Sequence, residues 1–170
     1  MPPPACSVLD DDTAQFLQRR VSIVAASSDA NNIPSSTRVY GCRVAEGNRA
    51  LTVFVRRPQA ARLLADIEVN GEIAVVFSRP STNRTLQFKG RDARVGPLEP
   101  GDIQLVSEWI GSLVVELAPL GVTAPLVHAA FANRPEEMSA ITFTPGEGFA
   151  QTPGPGAGAR LPTGQKGPRP

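Results

Sequence analysis

One stretch constrains this chain more than any other: LTVFVRRPQAARLLADI, residues 51–67, in which an apolar strand runs directly into a helix with two arginines at the join. Residues 51–55 are short, apolar and rich in strand formers, whereas Ala60, Leu63, Leu64 and Ile67 recur at the spacing of one helical face. Pro58 suits the first helical position. The first N–H groups of a helix have no internal partner and carry partial positive charge, so a strand-to-helix junction suits an anion. Arg56 and Arg57 add two guanidiniums, whose planar forks match phosphate. On these residues alone, two readings stay open: a phosphate-binding corner for a nucleotide-like cofactor, or a solvated basic patch.

The rest of the chain bounds what that junction can belong to. With 170 residues, 41% hydrophobic and 19% charged, it can bury one ordinary core and hardly two. A formal net charge of +1 leaves no basic face for duplex nucleic acid, which is disfavoured as a partner. The start, MPPPACSVLDDD, lacks the basic and apolar regions of a secretory signal, and no later stretch reads as the ~20 apolar residues of a membrane span; the chain reads as cytoplasmic. Cys6 and Cys42 are too few and too far apart in sequence to suggest a disulfide framework or a zinc site, and read as inert thiols.

In chain order, residues 1–9 read as a disordered Pro-rich arm, and Asp10, Asp11 and Asp12 start a helix that ends at Arg19 and Arg20. A buried strand over 21–26 leads to turn residues Asp29, Asn31 and Asn32. Residues 33–44 read as one extended run, with Arg38, Tyr40, Cys42 and Val44 on one face. A hairpin loop at Glu46, Gly47 and Asn48 enters the strand of the opening stretch. The uninterrupted apolar run 73–77 predicts a central strand, and 85–95 alternates as a half-exposed one. Ile103, Val106, Ile110, Leu113, Val114 and Leu117 predict an amphipathic helix, followed by a shorter helix over 125–132 and a last strand over 138–143. Gly and Pro then crowd the chain, and 151–170 reads as a tail that builds no core. The expectation is a mainly β, α+β fold: a six-stranded antiparallel split β-barrel with flanking helices, spanning residues 10–150.

The segments FLQRRVSIVAAS, the Arg38-Val39-Tyr40 strand, TVFVRRPQAARLL, AVVF and LQFKG, in this order, resemble the FMN-binding split barrels related to pyridoxamine 5′-phosphate oxidase. The resemblance covers Asp10 to about Gly158 and implies a homodimer with FMN in the groove between two barrels. It places Arg38 at the ribityl or phosphate end of the flavin, with the main chain of Val39 and Tyr40 beside the ring. Thr52 and Val53 match a strand that contacts the isoalloxazine, and Arg56 and Arg57 match the phosphate corner. Gln59 stands where the family often has a lysine; it can hydrogen-bond a phosphate but cannot neutralise it. Gln87 matches a strand that often offers an amide to the flavin, although an exposed strand position explains it equally.

The family's true pyridoxamine phosphate oxidases close with a tryptophan and basic residues, whereas this chain ends QTPGPGAGARLPTGQKGPRP, where Arg160 reads as solvated. Trp109 and the single histidine, His128, read as residues packed against the barrel. No set of side chains suggests an acid–base or nucleophilic mechanism, so any chemistry is expected to be the flavin's, acting on an unidentified small molecule. Two alternatives remain: a non-catalytic flavin-binding or stress-response module, or the same barrel holding haem or a deazaflavin.

Overall fold

A computed structural model describes residues 9–162 and places nine strands in two antiparallel sheets among them. The elements are α1 (Asp11–Gln18), β1 (Ser22–Ser28), β2 (Pro34–Arg38), β3 (Cys42–Val44), β4 (Leu51–Arg56), α2 (Arg57–Asn70), β5 (Ile73–Ser78), β6 (Thr85–Gly90), β7 (Arg94–Gly96), α3 (Asp102–Leu117), α4 (Ala124–Ala130), β8 (Met138–Phe143) and β9 (Glu147–Ala150). One sheet has the order β2-β1-β5-β6-β9, the other β3-β4-β8-β7. This is the antiparallel split barrel with flanking helices. Its three additional strands come from splitting two long runs and from β9. Residues 1–8 of the expected arm and the end of the tail lie outside the described residues, whereas Leu9, the last residue of that arm, is buried in the core.

The first split explains how one barrel comes to have two sheets. Residues 33–44 alternate as if they were a single strand, yet the chain leaves the first sheet at Val39 and joins the second at Tyr40. The Val39 N–H donates to Ile23 of β1 at 3.0 Å, and the Tyr40 N–H to Phe54 of β4 at 2.7 Å. Gly41 makes the bend, with φ of 112°, and a Cβ there would lie 3.2 Å from the Cβ of Trp109. Val39 and Tyr40 are therefore both buried, where strict alternation expected one on each side. The run 85–95 breaks in the same way: β6 stays in the first sheet and β7 pairs β8 in the second.

β5 lies at the centre of its sheet, between β1 and β6, but only one of its faces is buried; Ala74, Val76 and Ser78 on the other are half-exposed. α2 lies against β1 and β2 with Ala60, Leu63, Leu64 and Ile67 inward, a leucine or isoleucine side chain contributing about 1.5–3 kcal/mol when fully buried. Its one buried acid, Asp66, accepts a hydrogen bond from the Ser35 hydroxyl. α3 packs Val106, Trp109, Ile110 and Leu113, and the Trp109 indole N–H donates to the Val21 carbonyl at 3.0 Å. By length and composition alone, the segment Asp102–Leu120 qualifies as a membrane-crossing helix, contrary to the sequence expectation. Its place in the fold accounts for part of the apolarity: those four side chains sit in the core, Val115 and Leu120 are exposed, and the buried Asp102 and Glu116 bind the Arg43 side chain and the Ser81 N–H.

α1 is capped as its acids suggest. The Asp10 carboxylate accepts the Thr13 N–H at 2.7 Å, and hydrogen bonding from Thr13 holds its pKa below the ordinary carboxylate value. Asp10→Ala is expected to lower stability by about 1 kcal/mol near neutral pH. A depressed folded-state pKa contributes stability above the unfolded value of 3.8 that is lost as pH falls through the folded value. Parent and variant melting curves should therefore differ at pH 7 and converge in stronger acid.

Candidate functional site

The opening stretch folds as one continuous piece. Arg56 is both the last residue of β4 and the N-cap of α2; its backbone is extended, and no side chain caps the helix. The first turn of α2 carries no acid. Its N–H groups and two guanidiniums thus meet at one corner, because the strand ends where the helix begins. The antiparallel register then sets what stands opposite. β8 pairs β4 with Arg56 across from Met138, which delivers the one-turn 3-10 segment Pro135–Glu137 to both arginines.

That segment holds both of them. Arg56 Nε donates to Glu137 Oε2 at 2.7 Å, an ion pair whose side chains are 29% and 26% exposed, so it is partly shielded from water. The Glu137 carboxylate also raises the Arg56 pKa above its ordinary value. Arg57 donates through Nη1 to the Met138 carbonyl at 2.9 Å and through Nη2 to the Glu136 carbonyl. The arginines are therefore neither simply solvated nor unpartnered.

The remaining expected residues fall into three groups. Tyr40 and Gln59 join the corner: the Tyr40 hydroxyl donates to Gln59 Oε1 at 2.8 Å. Arg38 connects to it through an aromatic residue. Its guanidinium lies 4.8 Å over the Phe131 ring and donates to the Ala130 carbonyl at 2.9 Å, while Phe131 meets the Tyr40 ring edge-on with centroids 5.7 Å apart. The second group is interior. Val39 and Val53 are fully buried, and the Thr52 hydroxyl bonds that of Thr142 across the ladder at 2.8 Å.

Gln87 forms the third group, on the other sheet, where its amide oxygen is 3.4 Å from the Gln151 amide nitrogen. Register nevertheless relates it to Arg38. Arg38 pairs Val24, Val24 pairs Val76 and Val76 pairs Gln87, so these four side chains form one row on the outer face of the five-stranded sheet. Three strand spacings put Arg38 and Gln87 about 14 Å apart.

Glu137 and Phe131 were not expected from sequence. The signal for Glu137 was the acid pair of PEEM immediately before a strand able to pair with β4; for Phe131 it was the aromatic that ends the short helix APLVHAA. His128 is exposed on α4, and Val127 is the one residue of that helix that is buried. Arg160 is not free: it pairs with Glu147 at 2.6 Å and lies against the Phe149 ring. Cys42 is buried, and burial pushes its thiol pKa upward, as suits an inert thiol. Two clefts, of about 440 and 770 Å³, lie elsewhere: one between α1 and α3 beside Trp109, the other beside Lys89 and Arg91.

No family model and no curated protein matches the chain. Solved structures do. HupZ from Group A Streptococcus superposes with a TM-score of 0.54 at 14% identity, covering 89% of this chain and 98% of that one. A candidate pyridoxamine 5′-phosphate oxidase from Lactobacillus delbrueckii gives 0.53 at 11% identity, covering 84% and 93%. An F420 reductase gives 0.52 at 17% identity, covering 82% and 98%. At these identities the likeness is one of fold, and the fold is the pyridoxamine 5′-phosphate oxidase-like split barrel.

Proposed function

Starting from that barrel, we propose that this chain binds FMN, with the phosphate at the α2 corner, and acts as an oxidoreductase on a small molecule. The observation that carries the reading is the convergence of Arg56 and Arg57 on a helix N-terminus that no side chain caps. Tyr40 and Gln59 would add polar contacts there, and Arg38 would reach the flavin from beyond Phe131. When bound, the isoalloxazine would supply the redox chemistry; the chain's own part is to bind it, orient it and exclude water. Among the described residues, side chains of the site offer hydrogen bonds and charge, with no recognisable nucleophile–base pair.

A second copy of the chain would complete the groove. The outer row that ends in Arg38 and Gln87 has two valines between them, with Val24 43% exposed. An apolar strip between two polar ends suits burial against a partner. A deazaflavin is the second reading, favoured by the likeness to an F420 reductase.

The test is titration of the purified protein with FMN, followed by flavin fluorescence, together with sizing chromatography. Saturable quenching and a dimer are expected. Absence of any flavin binding overturns the reading, and an all-monomer profile with FMN bound overturns the shared groove. Turnover of a reduced nicotinamide by the loaded protein separates an oxidoreductase from a non-catalytic flavin carrier.

A further inference from the structure

The α2 corner, which reads as doubly cationic in sequence, has one of its two charges paired in the fold. Arg56 is bound to the Glu137 carboxylate, whereas Arg57 is held by the main-chain carbonyls of Glu136 and Met138. Gln59 brings no charge, and its amide oxygen is already taken by Tyr40.

The backbone of that segment is held in place while the Glu137 side chain is held by one partner. The Glu137 N–H donates to the Arg134 carbonyl at 2.9 Å, and Arg57 grips the carbonyls on either side of Glu137. Among the described residues the Glu137 carboxylate bonds only Arg56, so it can turn away by side-chain rotation with the main chain unmoved. A phosphate approaching Arg56 meets a carboxylate already on the same guanidinium, and two anions on one partly shielded cation repel each other.

We propose that Glu137 is an internal counter-ion that occupies Arg56 in place of the ligand phosphate and sets how strongly the corner prefers a phosphorylated ligand to its dephosphorylated form. The inference rests on the phosphate site proposed above and concerns its selectivity. Binding of the phosphate releases the carboxylate to solvent, and part of the gain from the new contact offsets the loss of the old one. The corner therefore discriminates less between FMN and riboflavin than two unpaired arginines would.

The test uses the full chain and two ligands, FMN and riboflavin, titrated by fluorescence against the parent, Glu137→Gln and Glu136→Gln. Glu136 is the control, since it carries the same charge but contributes its main-chain carbonyl, which the substitution keeps. Glu137→Gln should tighten FMN binding about tenfold and leave riboflavin within about twofold, because the lost carboxylate competes only with phosphate. Glu136→Gln, with an exposed side chain, should change both by less than about threefold. Glu137→Asp keeps the charge with a shorter reach, and should shift FMN in the same direction by less. A parent that binds FMN with Glu137→Gln unchanged or weaker overturns this inference and leaves the proposed function standing. Failure of all the proteins to bind either flavin overturns both.

Discussion

A variant carrying Arg56→Ala and Arg57→Ala is expected to bind FMN about a hundredfold more weakly than the parent, with riboflavin almost unaffected. A hydrogen bond to a charged group is worth about 1.5–3 kcal/mol, and two of them would give a larger loss if both arginines were unengaged beforehand. Neither is: Arg56 gives up its contact with Glu137 at 2.7 Å to take the phosphate, and Arg57 already donates to the Met138 and Glu136 carbonyls. A net loss of about 3 kcal/mol corresponds to roughly a hundredfold. The stability of the ligand-free protein should also fall, because these side chains tie the segment Pro135–Glu137 to β4. From sequence, side chains facing an open groove would have cost little. Titration with both flavins, beside a melting curve, checks both parts. Equal FMN affinity in parent and variant returns the pair to a structural role.

Trp109→Ala should have the largest effect on folding. The ring is almost wholly buried, donates to the Val21 carbonyl, and meets Phe131 edge-on with centroids 5.0 Å apart. Removing such a side chain costs about 3–5 kcal/mol, and for a chain of this size a shift of about 10 °C in melting temperature follows. Trp109→Phe keeps most of the packing but strands the buried Val21 carbonyl, and should cost about 1–3 kcal/mol. The effect should extend to the site. Phe131 is wedged between Trp109 and Tyr40 and carries Arg38 on its face, so losing the indole removes the support that fixes Arg38. A Trp109 variant as stable as the parent would show that α3 is not an essential wall of the core.

The parts of this fold that were legible in the sequence are those governed by local periodicity. The stripe Ala60, Leu63, Leu64 and Ile67 is the buried face of α2, and the strand feeding it is β4. The spacing of Val106, Ile110 and Leu113 likewise marks the inward face of α3. The crossing at residues 39–41 was not legible, because alternation continues unbroken across it and only the φ of Gly41 shows the bend. β7 and β9 have three and four residues, too few to set a period, and owe their conformation to the strands beside them. At the site, the two arginines and their helix could be placed from sequence. Glu137 could not be assigned to Arg56, since the two are separated by 81 positions and meet only through the β4–β8 register.

The way the chain doubles back after β9 bears on how this protein behaves in concentrated solution. β9 is the last strand of its sheet, and its outer edge would present unpaired N–H and C=O groups. Residues 158–161 cover it: Gly158 and Leu161 donate to the carbonyls of Ala150 and Gly148, Ala150 donates to that of Ala159, and Arg160 pairs with Glu147. An open edge is a template on which another chain can add a strand. The covering segment pairs β9 through a single antiparallel bridge between Phe149 and Arg160, so the edge it offers in turn is very short. Part of what reads as a featureless tail thus occupies one sheet edge on which a neighbouring molecule could otherwise add a strand.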